Sequence, residues 1–581
     1  MTDQKNLILA IVFSVGIILL FQVFYEMPRL REQERLQQLQ EASQTEQDGV
    51  VRPAPSAEGL APGSAEIGDV LDPGGSTASR DAALEQAPRV AIDNGRVHGS
   101  IALKGGRIDD ITLVDYRQYL GPDAPEVELL NPSGTPAPYF AEFGWVGTNG
   151  VTVPDAETVW QTTGERLTAT EPVDFRWDNG EGLTFTKRIS VDSDFMFTVE
   201  RSVENTSGEP VTLYPYGLLT RWPTPDIMGF FILHEGPIGV LGGTLKEIDY
   251  ADLRDGEAQR FDSDGGWVGF TDKYWLASLV PDQAETIEAT FRHTLRGSEN
   301  RYQIDYLGQG RVIAPGETAT VTDRLFAGAK EVSLLDAYSE RYGIPLFDRA
   351  VDFGWFYFLT KPIFHVLTWL YALLGNYGLA ILALTLIVKL LFYPLANKSY
   401  RSMSQMKKLQ PEMVKLRERY ENDKQKMQQE LMALYKREKV NPMAGCLPIL
   451  VQIPVFFALY KVLFVSIEMR HAPFFGWIQD LSAPDPTSIF NLFGLLPFGV
   501  PAFLMIGVWP ILMGITMFLQ FKLNPQPADP IQAKVMMFLP LIFVFLFATF
   551  PAGLVIYWTW NNILSIGQQW LIMKRMGVKA G

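Results

Sequence analysis

Hydrophobic and polar positions follow three rhythms along the chain. Residues 7–25 form a continuous apolar run behind Lys5, followed by YEMPRL and not by a small-residue cleavage motif, which predicts an uncleaved membrane anchor over 1–26. Residues 27–42 can prolong that helix, but 43–88 is rich in Pro, Gly, Ala and Ser without apolar periodicity, so 27–89 reads as a disordered tether. From 90 to 328 the period is two. Leu183, Phe185, Ile189 and Val191 alternate with Thr184, Thr186, Arg188 and Ser190; Phe197, Val199 and Val203 repeat the pattern, as do Ile287, Ala289, Phe291 and Leu295. Short alternating strands between turn residues predict an antiparallel β-sandwich over 90–342, closed by a short helix at 331–342. Trp222, Trp267 and Trp275 beside Asp264 and Asp272 suit either a carbohydrate-type cleft or core and turn positions, and no catalysis is assigned to this domain.

The remaining chain is apolar with a helical period. Residues 354–374, framed by Trp355 and Trp369 and broken by Lys361, Pro362 and His365, predict an amphipathic helix lying in the interface within 343–376. Transmembrane helices are expected at 377–395 and 446–466, with three more inside 500–573, at about 500–521, 535–550 and 552–573. Between the first two, Met406, Leu409, Met413, Leu416 and Tyr420 recur at spacings of three and four, and Met427, Leu431 and Leu434 continue the pattern after ENDK. That predicts an antiparallel helical hairpin over 396–445 with a coiled-coil seam. The fold class expected is a polytopic α-helical membrane protein with six spans, five of them in a core bundle, plus a periplasmic antiparallel β-sandwich.

Charge orients these segments. Residues 354–581 carry 21 Lys and Arg against 10 Asp and Glu, whereas residues 1–353 carry 29 against 55. The hairpin holds twelve basic residues from Lys398 to Lys439 against six acidic ones, which places it in the cytoplasm. Both termini are then cytoplasmic, the tail 574–581 being basic, while the acidic β-domain and the loop 467–499 face the periplasm. Neither half resembles a nucleic-acid binder. One cysteine, Cys446, excludes an intramolecular disulfide, and five scattered histidines show no metal-ligand spacing, so neither metal nor cofactor is expected.

Lys389 is the unusual residue. It lies six residues before the end of the 377–395 run, roughly 9 Å deep at ~1.5 Å per residue. Gln452 lies at nearly the same depth of the next, oppositely directed run, so the two can meet. Thr385, one helical turn away, extends the stripe toward mid-membrane. A charge at that depth is costly and marks a functional cavity, or else a lysine snorkelling to the interface with Gln452 as interhelical glue. Asn561 and Asn562 fall near mid-depth of the last run, while apolar side chains fill the outer half. That distribution suits a groove wet from the cytoplasm, not an aqueous channel. A small-solute transporter would show inverted repeats and an intramembrane hydrolase a nucleophile and base in the spans; neither is seen. No GxxxxGK[ST] loop is present either.

The runs KLLFYP, ELMALYKREKVNPMAGCLPILVQIPVFFALY, HAPFFGWIQDLSAPDP and FPAGLVIYW together resemble the YidC family of membrane protein insertases, in its Gram-negative form with an added periplasmic domain. The motifs cover about 354–573; upstream, the resemblance is one of architecture. It implies an insertase and membrane chaperone of the bacterial inner membrane that inserts and helps fold integral membrane proteins, alone or with the Sec translocon. It implies a positively charged hydrophilic groove open to the cytoplasm, formed here by Lys389, Thr385, Gln452, Tyr557 and Trp558. Arginine usually stands where this chain has Lys389, and tyrosine often where it has Trp558. A substrate slide is expected along Leu450, Phe456, Phe457, Phe464, Phe543 and Phe547, and a contact surface for incoming segments at Met406, Met413, Met427 and Met432. The implied partners are nascent membrane proteins, the Sec translocon, the signal recognition particle with its receptor, ribosomes and membrane lipids, with no direct nucleic-acid contact. The segment 489–508 is longer than in some members.

Overall fold

A computed structural model describes residues 79–577, apart from 149, 230–232, 355, 421–422, 439, 441–446, 497, 502–503 and 525–529. The predicted anchor, residues 27–78 of the tether, Trp355 and Cys446 lie outside the described residues; the last part expected as tether is ordered, helical at Arg80–Leu84 and entering a strand at Arg89, because Arg80 pairs with Asp110 of the β-domain. The chain divides into two compact units. One runs up to Lys361 and also takes in Lys461–His471; the other comprises Pro362–Tyr460 and the chain from Ala472 onward.

In the first unit, the period-two stretches form two sheets, of eleven and nine strands. Leu183–Val191 pairs with Met196–Asn205, with Val199 opposite Ile189 and Val203 opposite Phe185, so the alternating apolar residues share one buried face. All pairings are antiparallel except one short parallel contact of Ala91 and Ile92 with Arg166 and Leu167. The sheets are joined across their inner faces by charged side chains. Arg201, at a core-facing position of the nine-stranded sheet, donates to the carbonyls of Gly144 and Tyr216 on the other sheet and pairs with the buried Asp323. Arg107 pairs with Glu142 at 2.8 Å, and Tyr216 donates to the same carboxylate at 2.7 Å. Trp222 and Trp267 are core residues, and Asp272 pairs with Arg221 at 2.9 Å. Leu295 departs from the expected alternation: the strand Thr286–Arg296 runs beyond the core at its end, and Leu295 is exposed.

Two short helices, α1 (Arg80–Leu84) and α2 (Tyr250–Asp255), flank the strands, and α3 (Val332–Tyr342) follows them, ending at Gly343 in the left-handed region. The segment Lys461–His471, expected as the end of the 446–466 span and the start of the 467–499 periplasmic loop, packs within this unit. Lys461 pairs with Asp352 at 2.9 Å, Glu468 accepts from the Val332 N–H at 3.1 Å, and Arg470 donates to the carbonyls of Arg117 and Gln118.

The second unit is helical. Two helices, α4 (Tyr357–Leu374) and α8 (Leu447–Val465), run from one unit into the other. Between them are α5 (Tyr377–Leu391), α6 (Tyr393–Arg419) and α7 (Lys424–Arg437), followed later by α9 (Val508–Leu523), α10 (Pro530–Phe547) and α11 (Ala552–Arg575). Helix α4 buries one face, with Ile363, Phe364, Leu367 and Leu370, and its exposed face carries the apolar side chains Phe358, Trp369 and Leu373. Asn376 caps α5 by accepting from Leu379 N–H. The run expected as one helix to 395 stops at Leu391, because Pro394 lacks an N–H to continue it and instead opens α6. The two helices meet at 70°, and the hairpin's first arm is already helical from Tyr393. The run expected from 500 becomes helical only at Val508, where Asp485 accepts from the Trp509 N–H at 2.9 Å. A Cβ on Gly507 would stand 2.4 Å from the Asp485 carboxyl carbon, so glycine is required there.

Among the described residues no single helix is both long and apolar enough to cross a membrane; α5 and α6 together meet that criterion as a bent pair. Shorter apolar helical stretches occupy 452–465, 508–523 and 534–547.

Candidate functional site

Helix α11 organises the helical unit, with α5, α6 and α9 packed on it. It begins behind Pro551, and Gly553 lets it approach closely: a Cβ there would lie 3.2 Å from the Leu481 carbonyl and 3.3 Å from Ile381 on α5. Its buried polar residues Asn561, Ser565 and Gln569 follow one another at intervals of four, with Asn562 beside them. Residues so spaced lie along one helix face, and that stripe continues between the neighbouring helices.

Lys389 on α5 meets this stripe. Its ammonium donates to Ser565 Oγ at 2.7 Å, and Ser565 in turn donates to the Asn561 carbonyl at 2.8 Å. Tyr400 on α6 also hydrogen-bonds Ser565, so this hydroxyl ties α5, α6 and α11. Further along, Asn562 donates to Thr516 Oγ1 on α9 at 3.2 Å, and Gln569 to the Asn524 side chain at 3.1 Å. The Gln569 carbonyl oxygen and the Gln568 amide nitrogen are buried without hydrogen-bond partners. Ion pairs among the described residues of this unit lie on the hairpin, at Arg437 with Glu412 and Glu438. None of them involves Lys389.

The expected meeting of Lys389 with Gln452 is replaced by two separate pairings, since Gln452 on α8 hydrogen-bonds the buried Tyr557 of α11. Thr385 shares the helix face of Lys389, but its hydroxyl donates to the Ile381 carbonyl at 2.7 Å, so the helix itself absorbs it. Trp558 stands edge-on to Phe456, centroids 4.8 Å apart, and tilts against Phe547 at 5.4 Å. Sequence reading missed Ser565 and Gln569, although their spacing from Asn561 was available as a signal.

The slide residues divide. Phe457 is exposed, Phe456 and Phe543 are half-buried, and Phe547 is buried in the aromatic cluster with Phe456 and Trp558. Phe464 is a correction: it is buried in the β unit, with the Lys273 ammonium 3.9 Å from its ring centre. The side chain of Leu450 lies outside the described residues. The open apolar faces are instead Ile453 with Phe457 on α8, and Phe538, Leu541, Ile542 and Phe545 on α10. Of the hairpin methionines, Met413 is buried and accepts from Tyr435 Oη at 3.7 Å, Met406 and Met427 are half-buried, and Met432 is exposed. The seam therefore uses Met413 as filling, and Met432 faces outward. Among the described residues no cluster of His, Cys, Asp or Glu is arranged to hold a metal.

A unit dominated by antiparallel sheet, with apolar helices that carry a buried polar stripe and a lysine without an acidic partner among the described residues, defines a membrane protein carrying a β-domain. Residues 369–579 match the family described as 60Kd inner membrane protein, and residues 89–366 match the YidC periplasmic domain. The chain is 50% identical to the membrane protein insertase YidC of Methylobacterium sp. (strain 4-46), over 99% of this chain and 96% of that one. It is 49% identical to the YidC of Bradyrhizobium diazoefficiens, over 100% and 97%. A solved active YidC insertase with its first transmembrane domain resolved is similar at 19% identity, covering 83% of this chain and 92% of the other with a TM-score of 0.33. The chain belongs to the YidC family of bacterial inner-membrane protein insertases, with that family's periplasmic domain. Insertion is a non-enzymatic function, without a covalent reaction of its own.

Proposed function

We propose that the helical unit inserts nascent membrane proteins through a cation-bearing groove open to the cytoplasm. In this reading the chain crosses the inner membrane six times, by the 7–25 anchor, α5, α8, α9, α10 and α11, with both termini cytoplasmic and α4 in the interface. The hairpin α6–α7 receives an apolar segment, Met432 and its half-buried neighbours Met406 and Met427 giving it an adaptable contact. The segment's short hydrophilic tail, often acidic, enters beside Lys389, Gln452 and Tyr557. A carboxylate brought to about 4 Å from the ammonium gains up to ~4 kcal/mol at an effective dielectric near 20. That offsets the ~2.5–3.5 kcal/mol which an unaided acidic residue costs at mid-membrane. The apolar part then leaves along the open faces of α8 and α10, driven by burial at ~25 cal/mol per Å². The Sec translocon, the signal recognition particle with its receptor, and ribosomes are the partners this route calls for.

The observation that carries this reading is Lys389 held by a neutral hydroxyl at 2.7 Å, with no acid to neutralise it among the described residues. The test is insertion of a single-span substrate with an acidic tail into liposomes holding only this protein, scored by protease protection. Protection above empty liposomes is expected, lost in Lys389→Ala and kept in Lys389→Arg. Protection that survives Lys389→Ala reduces the lysine to a snorkelling residue; no protection at all assigns insertion to a complex with the translocon.

A further inference from the structure

The stretch between Asp485 and Lys522 contains no charged residue: 36 consecutive positions, 486–521, are uncharged. A spanning helix needs about 20 residues, and α9 uses only 16, Val508–Leu523. At ~1.5 Å per residue that helix is ~24 Å long, short of a ~30 Å hydrocarbon core. The surplus, 486–507, precedes α9, and its described residues form a loop closed at the neck.

Its neck is pinned from both sides. Asp485, itself buried, accepts from Trp477 Nε1 at 3.1 Å, from Thr487 N–H at 3.0 Å and from Trp509 N–H at 2.9 Å. Thr487 Oγ1 accepts from Val508 N–H at 3.0 Å, and the Ile489 N–H donates to the Ile506 carbonyl at 3.1 Å. Beyond the neck the chain turns through Leu492 and Phe493, both left-handed, at φ 51° and 60°. Such a conformation is unfavourable for side chains of that size. It splays Phe490, Leu492, Phe493, Leu495, Leu496 and Phe498 outward, all exposed, with Leu495 at 81%. The backbone meanwhile satisfies much of itself: the N–H groups of Phe493, Leu495, Leu496 and Phe498 donate to carbonyls inside the loop or its neck.

We infer that the loop 489–498 is a membrane anchor, seated at the headgroup–acyl boundary on the side where α9 begins. Three features select lipid over a protein partner. The loop continues an apolar helix already too short for the hydrocarbon core, it lacks the charged rim of a docking surface, and Phe475 and Trp477 stand exposed beside its neck as interfacial aromatic residues do. An irregular backbone belongs at that boundary and not at mid-membrane, because water and headgroups reach its remaining polar groups. The inference rests on the topology proposed above, in which this side is periplasmic.

The test uses the full chain with Cys446→Ser and a single environment-sensitive fluorophore on Leu495→Cys, reconstituted in phosphatidylcholine liposomes, and a second preparation labelled at Val312→Cys, an exposed strand position of the β unit. Emission from position 495 should lie to the blue of that from 312, fall when lipids carry a nitroxide on the acyl chain, and resist aqueous iodide. Iodide quenching at 495 without nitroxide quenching places the loop in water and overturns the anchor, as does quenching by neither agent, which places it inside protein. Nitroxide quenching at both positions overturns the topology beneath it. The same preparations are run through substrate insertion, so a failed anchor with insertion intact leaves the groove reading standing.

Discussion

Both units bury cations, and the arginines of the β unit are held differently from the lysine of the helical unit. In the β unit the buried guanidinium groups of Arg201 and Arg107 meet carboxylates, Asp323 and Glu142, and the half-buried Arg221 meets Asp272. Lys187, also on the inner sheet face, lacks so close an acid; it donates to the Gly106 carbonyl at 3.2 Å, and burial pushes its amine down to about 7. In the helical unit Lys389 is half-buried and bonded to Ser565, with no carboxylate ion-paired to it among the described residues. A paired buried charge is a fixed part of a core, costly to disturb and already neutralised. A lysine held by a hydroxyl has no such counter-charge, as Lys330 beside Thr271 at 2.8 Å also shows within the β unit; on the proposed reading Lys389 keeps its charge for something that arrives later.

The largest effect to expect from this contrast lies in the β unit. Asp323→Ala leaves Arg201, 1% exposed at its side chain, without its counter-charge, and breaking such a pair costs on the order of 3–5 kcal/mol. Thermal unfolding followed by tryptophan fluorescence should show a large fall in the transition of this unit. Replacing both partners by apolar residues of similar volume should recover most of it, because the penalty comes from the orphaned charge. Equal loss in the single and double variants would mean that packing between the sheets, not charge, holds Arg201.

A smaller, pH-dependent effect comes from Glu468. Burial raises its carboxyl to about 7 from the ordinary 4.5; one oxygen accepts from Val332 N–H, and the other has no hydrogen-bond partner. The charged groups facing it are Glu331, which raises it further, with Arg96 and Tyr116 bound to Glu331. Between 4.5 and 7 the folded state holds a proton that the unfolded state has released, so stability falls as pH rises through that window. Glu468→Gln should therefore stabilise the β unit above pH 7, by at most on the order of 3 kcal/mol, and change little below 4.5. Stabilisation of the same size at both ends would assign the effect to packing.

The contrast also explains what could be read without coordinates. Alternation located the strands around Leu183–Val191 and Met196–Asn205, because apolar residues of period two dictate a buried sheet face. It passed over Lys187 and Arg201, which occupy the same inner faces, since a charged residue in an alternating run carries no sign of the acid that waits on another strand. Composition located Lys389, because one charge in an apolar run stands out. Its partner was harder to find: Ser565 lies 176 residues away, and only its four-residue spacing from Asn561, not its residue type, marks it. Segment ends failed where a local device overrode hydropathy, as with Pro394 turning the chain at Phe392 and Asp485 delaying α9 to Val508. Phe464 failed for a different reason, since an aromatic residue in an apolar run reads alike whether it faces lipid or a lysine of a distant strand.

The finest test converts one kind of cation into the other. Ser565→Asp gives Lys389 the carboxylate that the β-unit arginines possess, at the position where its hydroxyl partner now stands. An acidic substrate tail must then displace an internal competitor, so insertion should fall ~tenfold, equivalent to about 1.4 kcal/mol, while substrates with neutral tails lose less. Ser565→Ala does the opposite with a smaller amplitude. It removes one hydrogen bond to a charged donor that solvent entering the groove can replace, so the net change should stay within about 1 kcal/mol, and acidic-tail insertion should be equal to or slightly above that of the parent protein. Both variants keep Lys389, and the aspartate differs from the alanine chiefly in charge, so their ratio isolates neutralisation from packing on α11. If Ser565→Ala lowers insertion as far as Ser565→Asp does, the hydroxyl serves to hold α5, α6 and α11 together through Lys389 and Tyr400, and the lysine is as structural as Arg201.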